Sequence, residues 1–340
     1  MIAVLTDTTR TGRPIIVQQV CPTLSSGPCL SRPHLAPNRM TQVQPTPDIL
    51  CIGSVLWDII GRSHLSLHLG SDVPGRITRA PGGVAMNIAM TLARFGLTPA
   101  LLTAIGQDAD GSDLITACRQ MGLITDHVYR SHDLPTDRYM AIEGANGLIA
   151  AIADAHSLEA AGPRILAPLI DGRLGSPAAP WSGMIALDGN LTEELLADIA
   201  SHPAFAAADL RLAPASPGKA ERLRPLLRHN RATLYVNLEE ARLLTQTDAA
   251  SAAEGAEALL ARGARRVLVT DGGRISADGQ QGEGVLTAQP PQVMVARVTG
   301  AGDTFMAAHI VAERRGGARA QALQAALQAA AAFVSGDIGT

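Results

Sequence analysis

The amino-acid sequence predicts an α/β domain built on a mostly parallel sheet, and three observations carry that reading. Short apolar runs such as Ile49-Leu50-Cys51-Ile52 and Val267-Leu268-Val269 lack the polar alternation of a half-exposed strand, so both faces of each run are buried. Most of these runs lead into a segment of helical character, which is the rhythm of parallel β-α-β units. Hydrophobic residues make up 46% of the 340-residue chain but aromatics only 3%, so a large core must be filled by aliphatic side chains.

Taken along the chain, residues 1–47 stand apart. Turn formers such as Pro22, Gly27, Pro28, Pro45 and Pro47 sit there without helical or strand period, so this stretch is expected to be a poorly ordered extension, with Met40 as a candidate alternative start. A single domain is expected over 48–340. Its first strand, 49–52, ends at Gly53. A helix over 84–95 is closed by Gly96, a residue suited to a left-handed C-terminus. A strand is expected over 100–105 and a helix over 112–121. Residues 138–143 and 148–152 flank Gly144-Ala145-Asn146-Gly147 and read as a β-hairpin with Asn-Gly turn chemistry, either a flap or an edge hairpin with no role. The strand at 184–187 leads to Asp188, and Thr192 can cap a helix over 193–199. The strand at 234–236 feeds a helix over 239–244, and helices over about 303–315 and 318–334 finish the domain.

Several function classes fall away on composition. A net charge of −3 makes no electrostatic case for nucleic acid or an anionic membrane. No apolar run approaches the ~18 residues of a membrane span, and the N-terminus lacks the sustained apolar core of a secretory signal. The four cysteines, Cys21, Cys29, Cys51 and Cys118, form no C-x-x-C pair, so reduced thiols and a cytoplasmic location are expected.

The chemistry concentrates at strand-to-helix junctions. In Thr299-Gly300-Ala301-Gly302-Asp303, small residues let successive amides point into one concavity at a helix start, an anion hole. A carboxylate beside that hole is either a helix cap or the base that takes a proton from a hydroxyl while the hole neutralises a phosphoryl group. Pro81-Gly82-Gly83 with Asn87 forms a second junction, and Asp58 follows the first strand. A carboxylate and an amide there suit vicinal hydroxyls, though each is also an ordinary turn or helix-start residue. Asn237 and Glu240 share one face of a first helical turn, where a carboxylate could hold the water shell of Mg²⁺ or merely favour the helix start. Thr270-Asp271-Gly272-Gly273 is a further strand-end loop suited to phosphate or ribose.

In this order the motifs resemble the PfkB, or ribokinase-like, carbohydrate kinases over about residues 48–338. The resemblance implies a three-layer sandwich with a mostly parallel central sheet and a small β-sheet lid, here near 59–80 and 136–154, often used for homodimerisation. It implies ATP and Mg²⁺ as cofactors and a small sugar or nucleoside as substrate. By position Asp303 is the implied base, and Gly300, Ala301 and Gly302 the anion hole. Asp58, Gly82, Gly83, Asn87 and Tyr139 would hold substrate; Asn237, Thr270, Gly272 and Thr299 the nucleotide; Glu240 the metal, through water. Within the family, the hairpin and the segments around Asp188-Gly189-Asn190 and Pro214 to Lys219 are most similar to pseudouridine kinases, implying phosphorylation of a ribose 5′-hydroxyl. A ribokinase-type sugar kinase, another nucleoside kinase and a non-catalytic sensor on the same scaffold stay open. Arg297 stands where many members carry an Asp associated with a monovalent cation, which argues against potassium activation.

Overall fold

The computed structural model describes residues 46–336. The expectation of poor order over 1–47 concerns, for residues 1–45, a stretch outside the described span.

The chain opens with β1 (Ile49–Ile52), β2 (Leu56–Arg62) and β3 (Arg76–Gly82), then α1 (Val84–Arg94). Next come β4 (Pro99–Leu102), β5 (Ala104–Gly106), α2 (Ala109–Gln120) and β6 (Tyr129–Ser131). The hairpin β7 (Arg138–Gly144) and β8 (Gly147–Asp154) precedes α3 (His156–Ala161), β9 (Met184–Asp188), α4 (Glu193–Ser201) and β10 (Asp209–Ala213). After β11 (Ala232–Asn237) follow α5 (Leu238–Thr245), α6 (Ala252–Ala261), β12 (Arg266–Thr270), β13 (Ser276–Gln280) and β14 (Gly284–Ala288). Two helices, α7 (Ala301–Arg314) and α8 (Arg319–Ser335), pack as a closing hairpin.

Eight strands form one sheet in the order β14-β13-β12-β11-β10-β9-β1-β4, parallel from β4 to β12 and antiparallel at β13 and β14. Period-two alternation splits its side chains between two cores. Leu50, Ile52, Ile185, Leu187, Leu210, Leu212 and Leu234 join Leu158, Leu196, Leu244 and Leu259 from α3 to α6 on one face. Ile49, Cys51, Leu101, Ala186 and Leu268 join Ile88, Leu114, Phe305 and Leu323 from α1, α2, α7 and α8 on the other. The result is the expected three-layer α/β sandwich. From β4 to β12 both faces of the sheet are buried, which is why these parallel strands read as largely apolar runs. Among the described residues no helix is long and apolar enough to cross a membrane.

A smaller sheet, β3-β2-β7-β8, lies outside the sandwich. Strand β2 is shared between antiparallel β3 and parallel β7, with Asp58 opposite both Ala80 and Tyr139. At the hairpin tip Gly144 pairs with Gly147, so Ala145 and Asn146 form the loop, and Gly147 alone there takes a positive φ, 95°. Asn146 is recruited for its side chain instead. It accepts from Leu67 N (3.0 Å) and donates to Leu67 O (2.8 Å), clasping the β2–β3 connection.

Two other boundaries differ from the sequence reading. The strand expected over 100–105 breaks at Thr103, and its second half pairs with β6 in a separate two-stranded sheet. Helix α2 starts before 112 because Asp108 caps it, accepting from Gly111 N at 2.7 Å while also binding Thr136. That second attachment is tertiary, so local sequence did not mark it.

Helix α7 is pinned at its C-terminal end by charge. Glu313 accepts from both Arg211 of β10 and Arg266 of β12, and Arg266 also pairs with the fully buried Asp278 of β13 at 2.8 Å. Tyr235 Oη meets the buried His309 Nδ1 at 2.9 Å one turn earlier. The two arginines hold the Glu313 carboxyl down at about 2 despite its burial. Glu313→Ala takes the shared carboxylate from two largely buried guanidinium groups, leaving Arg211 only Asp209 and Arg266 only Asp278 as acidic partners, and urea unfolding is expected to show a loss of about 3 kcal/mol, whereas an exposed ion pair is worth ~1 kcal/mol or less.

Candidate active site

The start of α7 and the start of α1 face each other across the C-terminal edge of the large sheet. Asp303 lies in the first turn of α7, behind the left-handed N-cap Gly300. Asn87, in the first turn of α1, donates from Nδ2 to Asp303 Oδ2 at 2.9 Å, joining residues 216 positions apart. The Asp303 carboxyl keeps some solvent contact, yet protein surrounds it closely. Burial pushes its pKa up to about 7, opposed by the Asn87 hydrogen bond and reinforced by the charge of Asp188.

The two helix starts differ in what they offer a ligand. In α1 the first three amides are all taken: Val84 N donates to Ser54 Oγ (2.9 Å), Ala85 N to Asp188 Oδ2 (3.0 Å) and Met86 N to Ser54 O (3.3 Å). Gly82 and Gly83 therefore serve this junction through their lack of a side chain. A Cβ on Gly82 would sit 2.1 Å from Asp58 Oδ2, so only glycine lets that carboxylate lie against the strand. In α7, Ala301 N donates to Val298 O at 3.0 Å, while the amides of Gly302 and Asp303 meet no acceptor among the described residues. A Cβ on Gly302 would enter open space, so its backbone can be approached closely. An anion can reach α7 at this point, where the helix dipole is positive.

Above this floor stands the Asp58 face of the small sheet. Asp58 and Tyr139 are cross-strand neighbours. Burial raises Asp58 to about 6, and burial together with Asp58 raises Tyr139. The pair offers an acceptor and a hydroxyl on one surface, suitable for a polyol.

On the other flank Asn237 and Glu240 form a reciprocal capping box on α5. Glu240 N donates to Asn237 Oδ1, and Asn237 N to Glu240 Oε2, both at 2.8 Å. The N-x-x-E spacing thus has a structural cause in addition to any ligand role. Glu240 is buried, and burial lifts its pKa to about 7, with Glu239 and Asp303 adding to the rise. Thr270 closes β12 directly beside Asn237 in the parallel register. Gly272 lies in the exposed turn beyond it and Thr299 in the exposed approach to α7, and no hydrogen bond ties either to this group among the described residues.

Among the described residues no three acidic, histidine or cysteine side chains converge as a metal cage. One carboxylate with an uncommitted second oxygen suits Mg²⁺, which keeps most of its waters and takes the rest of its ligands from phosphates.

The sequence reading missed a polar network beneath the site. Asp188, at the end of β9, accepts from Ser54 N (2.7 Å), Ser54 Oγ (3.1 Å), Ala85 N (3.0 Å) and Asn190 N (2.8 Å). Asn190 Nδ2 donates to Ser54 Oγ, and Lys219 Nζ to Asn190 Oδ1, each at 2.8 Å. A signal for it was present: Gly82-Gly83 before α1 carries no capping side chain, so its amides had to be satisfied from elsewhere.

Comparison with known proteins identifies the family. The pfkB family carbohydrate kinase model matches residues 46–337. The pseudouridine kinase of Escherichia coli K12 is 32% identical over 269 residues, covering 76% of this chain and 81% of the relative. A carbohydrate kinase from Agrobacterium tumefaciens superposes with a TM-score of 0.71 at 26% identity, covering 87% of this chain and 94% of the other. The Arabidopsis thaliana ribokinase solved with ribose and ATP gives 0.68 at 22% identity over 85% and 93% of the two chains, a likeness of fold alone. With the family model spanning nearly all of the described residues, the chain belongs to the PfkB family of carbohydrate kinases.

Proposed function

We propose that this kinase transfers the γ-phosphoryl group of ATP to the 5′-hydroxyl of a ribose-containing nucleoside, with pseudouridine the preferred acceptor. The observation that carries the reading is the Asn87–Asp303 hydrogen bond, which sets a carboxyl with a pKa near 7 at a helix start whose Gly302 and Asp303 amides meet no acceptor among the described residues. Asp303 takes the hydroxyl proton as the oxygen attacks phosphorus, and the Gly302 and Asp303 amides, with the loop at Gly300 and Ala301, receive the transferring oxygens. Asp58, Asn87 and Tyr139 hold the acceptor, and Gly82 and Gly83 serve the same wall by letting the Asp58 carboxylate and the Ser54 backbone lie against them. Asn237, Thr270, Gly272 and Thr299 line the nucleotide side. Mg²⁺, when bound, offsets phosphate charge, and Glu240 would hold it through water. Likeness to the Escherichia coli pseudouridine kinase supports the choice of base.

The face of the small sheet opposite Asp58 exposes Ile77, Met140, Ile142 and Ile152, with Ile77 at 78% and Ile152 at 69%. A second copy of the chain, presenting the same face, is the occupant proposed for it, with the small sheet acting as a lid.

ADP release measured with pseudouridine, uridine, adenosine, inosine, ribose and fructose is expected to be fastest with pseudouridine; faster turnover of a free sugar overturns the acceptor assignment. In the same assay Asp303→Asn is expected to lower kcat by about 10²–10⁴-fold while nucleoside affinity stays within a few-fold.

Arg297 donates from Nε to Phe333 O at 2.9 Å and stacks on the Phe333 ring at 3.8 Å. A fixed cation is therefore built into the approach to α7, and turnover is expected to be unchanged when potassium is replaced by choline.

The raised carboxyls also predict a pH dependence of the ligand-free protein. Asp58, Glu240 and Asp303 bind protons more tightly folded than unfolded, so their stabilisation is complete below pH ~4 and is lost as pH rises through about 6–7. Calorimetry should show the midpoint falling by several degrees from pH ~5 to ~8. Glu240→Gln, which preserves the capping box, should flatten part of that fall.

A further inference from the structure

The buried carboxylate of Asp188 is held by donors of the protein itself. It is 0% exposed and takes four hydrogen bonds, three on Oδ2 and one on Oδ1. Every donor comes from a chain segment that borders the site: Ser54 after β1, Ala85 in α1 and Asn190 after β9. Burial lifts its pKa, while these donors work against the rise. The backbone has also been shaped around it. Gly53 holds φ at 147°, and a Cβ there would lie 2.2 Å from Asp188 Cγ, inside the carboxyl group.

Helix α1 lacks a capping side chain of its own, since its N-cap is Gly83. Its N-terminal amides are bound by two residues from two different strand ends, Ser54 and Asp188. A carboxylate at this place satisfies an orphan amide and also opposes the positive end of the helix dipole. Two residues beyond Ala85 stands Asn87, and its side chain is the partner of Asp303. A rotation or slide of the first turn of α1 would carry the Asn87 amide away from the carboxyl it holds.

We propose that Asp188, acting with Ser54, is a positioning residue: it caps α1 from outside the helix and thereby sets where Asn87 holds Asp303. The role rests on the assignment of Asp303 as the base, and it adds a second tier of residues to that site. Neither Asp188 nor Ser54 touches the reacting atoms. Lys219, through Asn190 and Ser54, is the outer end of the same chain of hydrogen bonds.

The test is Asp188→Asn in the full chain. The amide keeps the shape of the carboxyl but cannot accept at both of its ends, so at least one donor loses its partner and the charge is gone. The expected result is a kcat lower by on the order of 10²-fold, as for a small misplacement of a reacting group, with KM for nucleoside and ATP changed less than about threefold. Asn87→Ala combined with Asp188→Asn should cost little more than Asn87→Ala alone, because the two act in series. Should Asp188→Asn fail to fold, Ser54→Ala, which removes one cap only, is expected to give a smaller loss with the same pattern.

An activity-independent readout separates this proposal from the functional reading. In ¹⁵N spectra the Asn87 side-chain amide is expected to shift in Asp188→Asn and in Ser54→Ala as its bond to Asp303 loosens. An unmoved Asn87 resonance, an unchanged kcat, or losses that multiply in the double variant would each overturn the proposal. A wild-type protein that phosphorylates none of the six acceptors would defeat the functional reading, and the Asn87 spectra would still decide the positioning role.

Discussion

One hydrogen bond, from Asn87 to Asp303, is the contact on which the site depends, and its two halves come from opposite ends of the domain. Each partner sits in the first turn of a helix, so its position is fixed by how that helix starts. The two starts are solved differently. Ser54 and Asp188 close α1, whereas the amides of α7 remain open behind Gly300. A helix start can hold its own chain or offer its amides to an anion, and this fold divides the two tasks between a pair of helices. The far end of α7 is tied to two strands through Glu313, so the helix bearing Asp303 is anchored at the end opposite the site.

Burial dominates the electrostatics of the cleft. Asp58, Glu240 and Asp303 each lie above the ordinary carboxylate range because protein displaces their water. Such a cluster is uncomfortable when ionised and unpartnered. A nearby cation or hydrogen-bond donor would favour the ionised form of each.

Much of this was legible in the sequence, because the relevant signals are local. Apolar runs without alternation gave the parallel sheet, and G-A-G-D, G-G with Asn87 and N-x-x-E marked three of the junctions at its C-terminal edge. The family resemblance extended that reading to the three-layer sandwich. The boundaries that slipped depend on distant contacts: Asp108 extends α2 partly through Thr136, and Thr103 breaks a strand whose second half pairs with β6. Asp188 escaped notice as a site residue for a related reason. A strand-end Asp followed by Gly-Asn looks like an ordinary turn until the helix it serves, more than a hundred residues earlier, is seen to lack a cap of its own. Conversely, Asn237 and Glu240 were visible, but their reciprocal capping bonds emerge only with the backbone in place.

The clasp between Asn146 and Leu67 has a mechanical consequence. It ties the tip of one hairpin to the loop of the other, so the distal rim of the small sheet is a closed ring that resists shear between its strands. Any tilting of that sheet must then be taken up at its root, near Ser54, Gly82 and Asp137, where its strands rejoin the sandwich. Two of those three pivots abut the first turn of α1. The small sheet and the helix that carries Asn87 thus share one attachment to the sandwich, through Ser54 and Gly82.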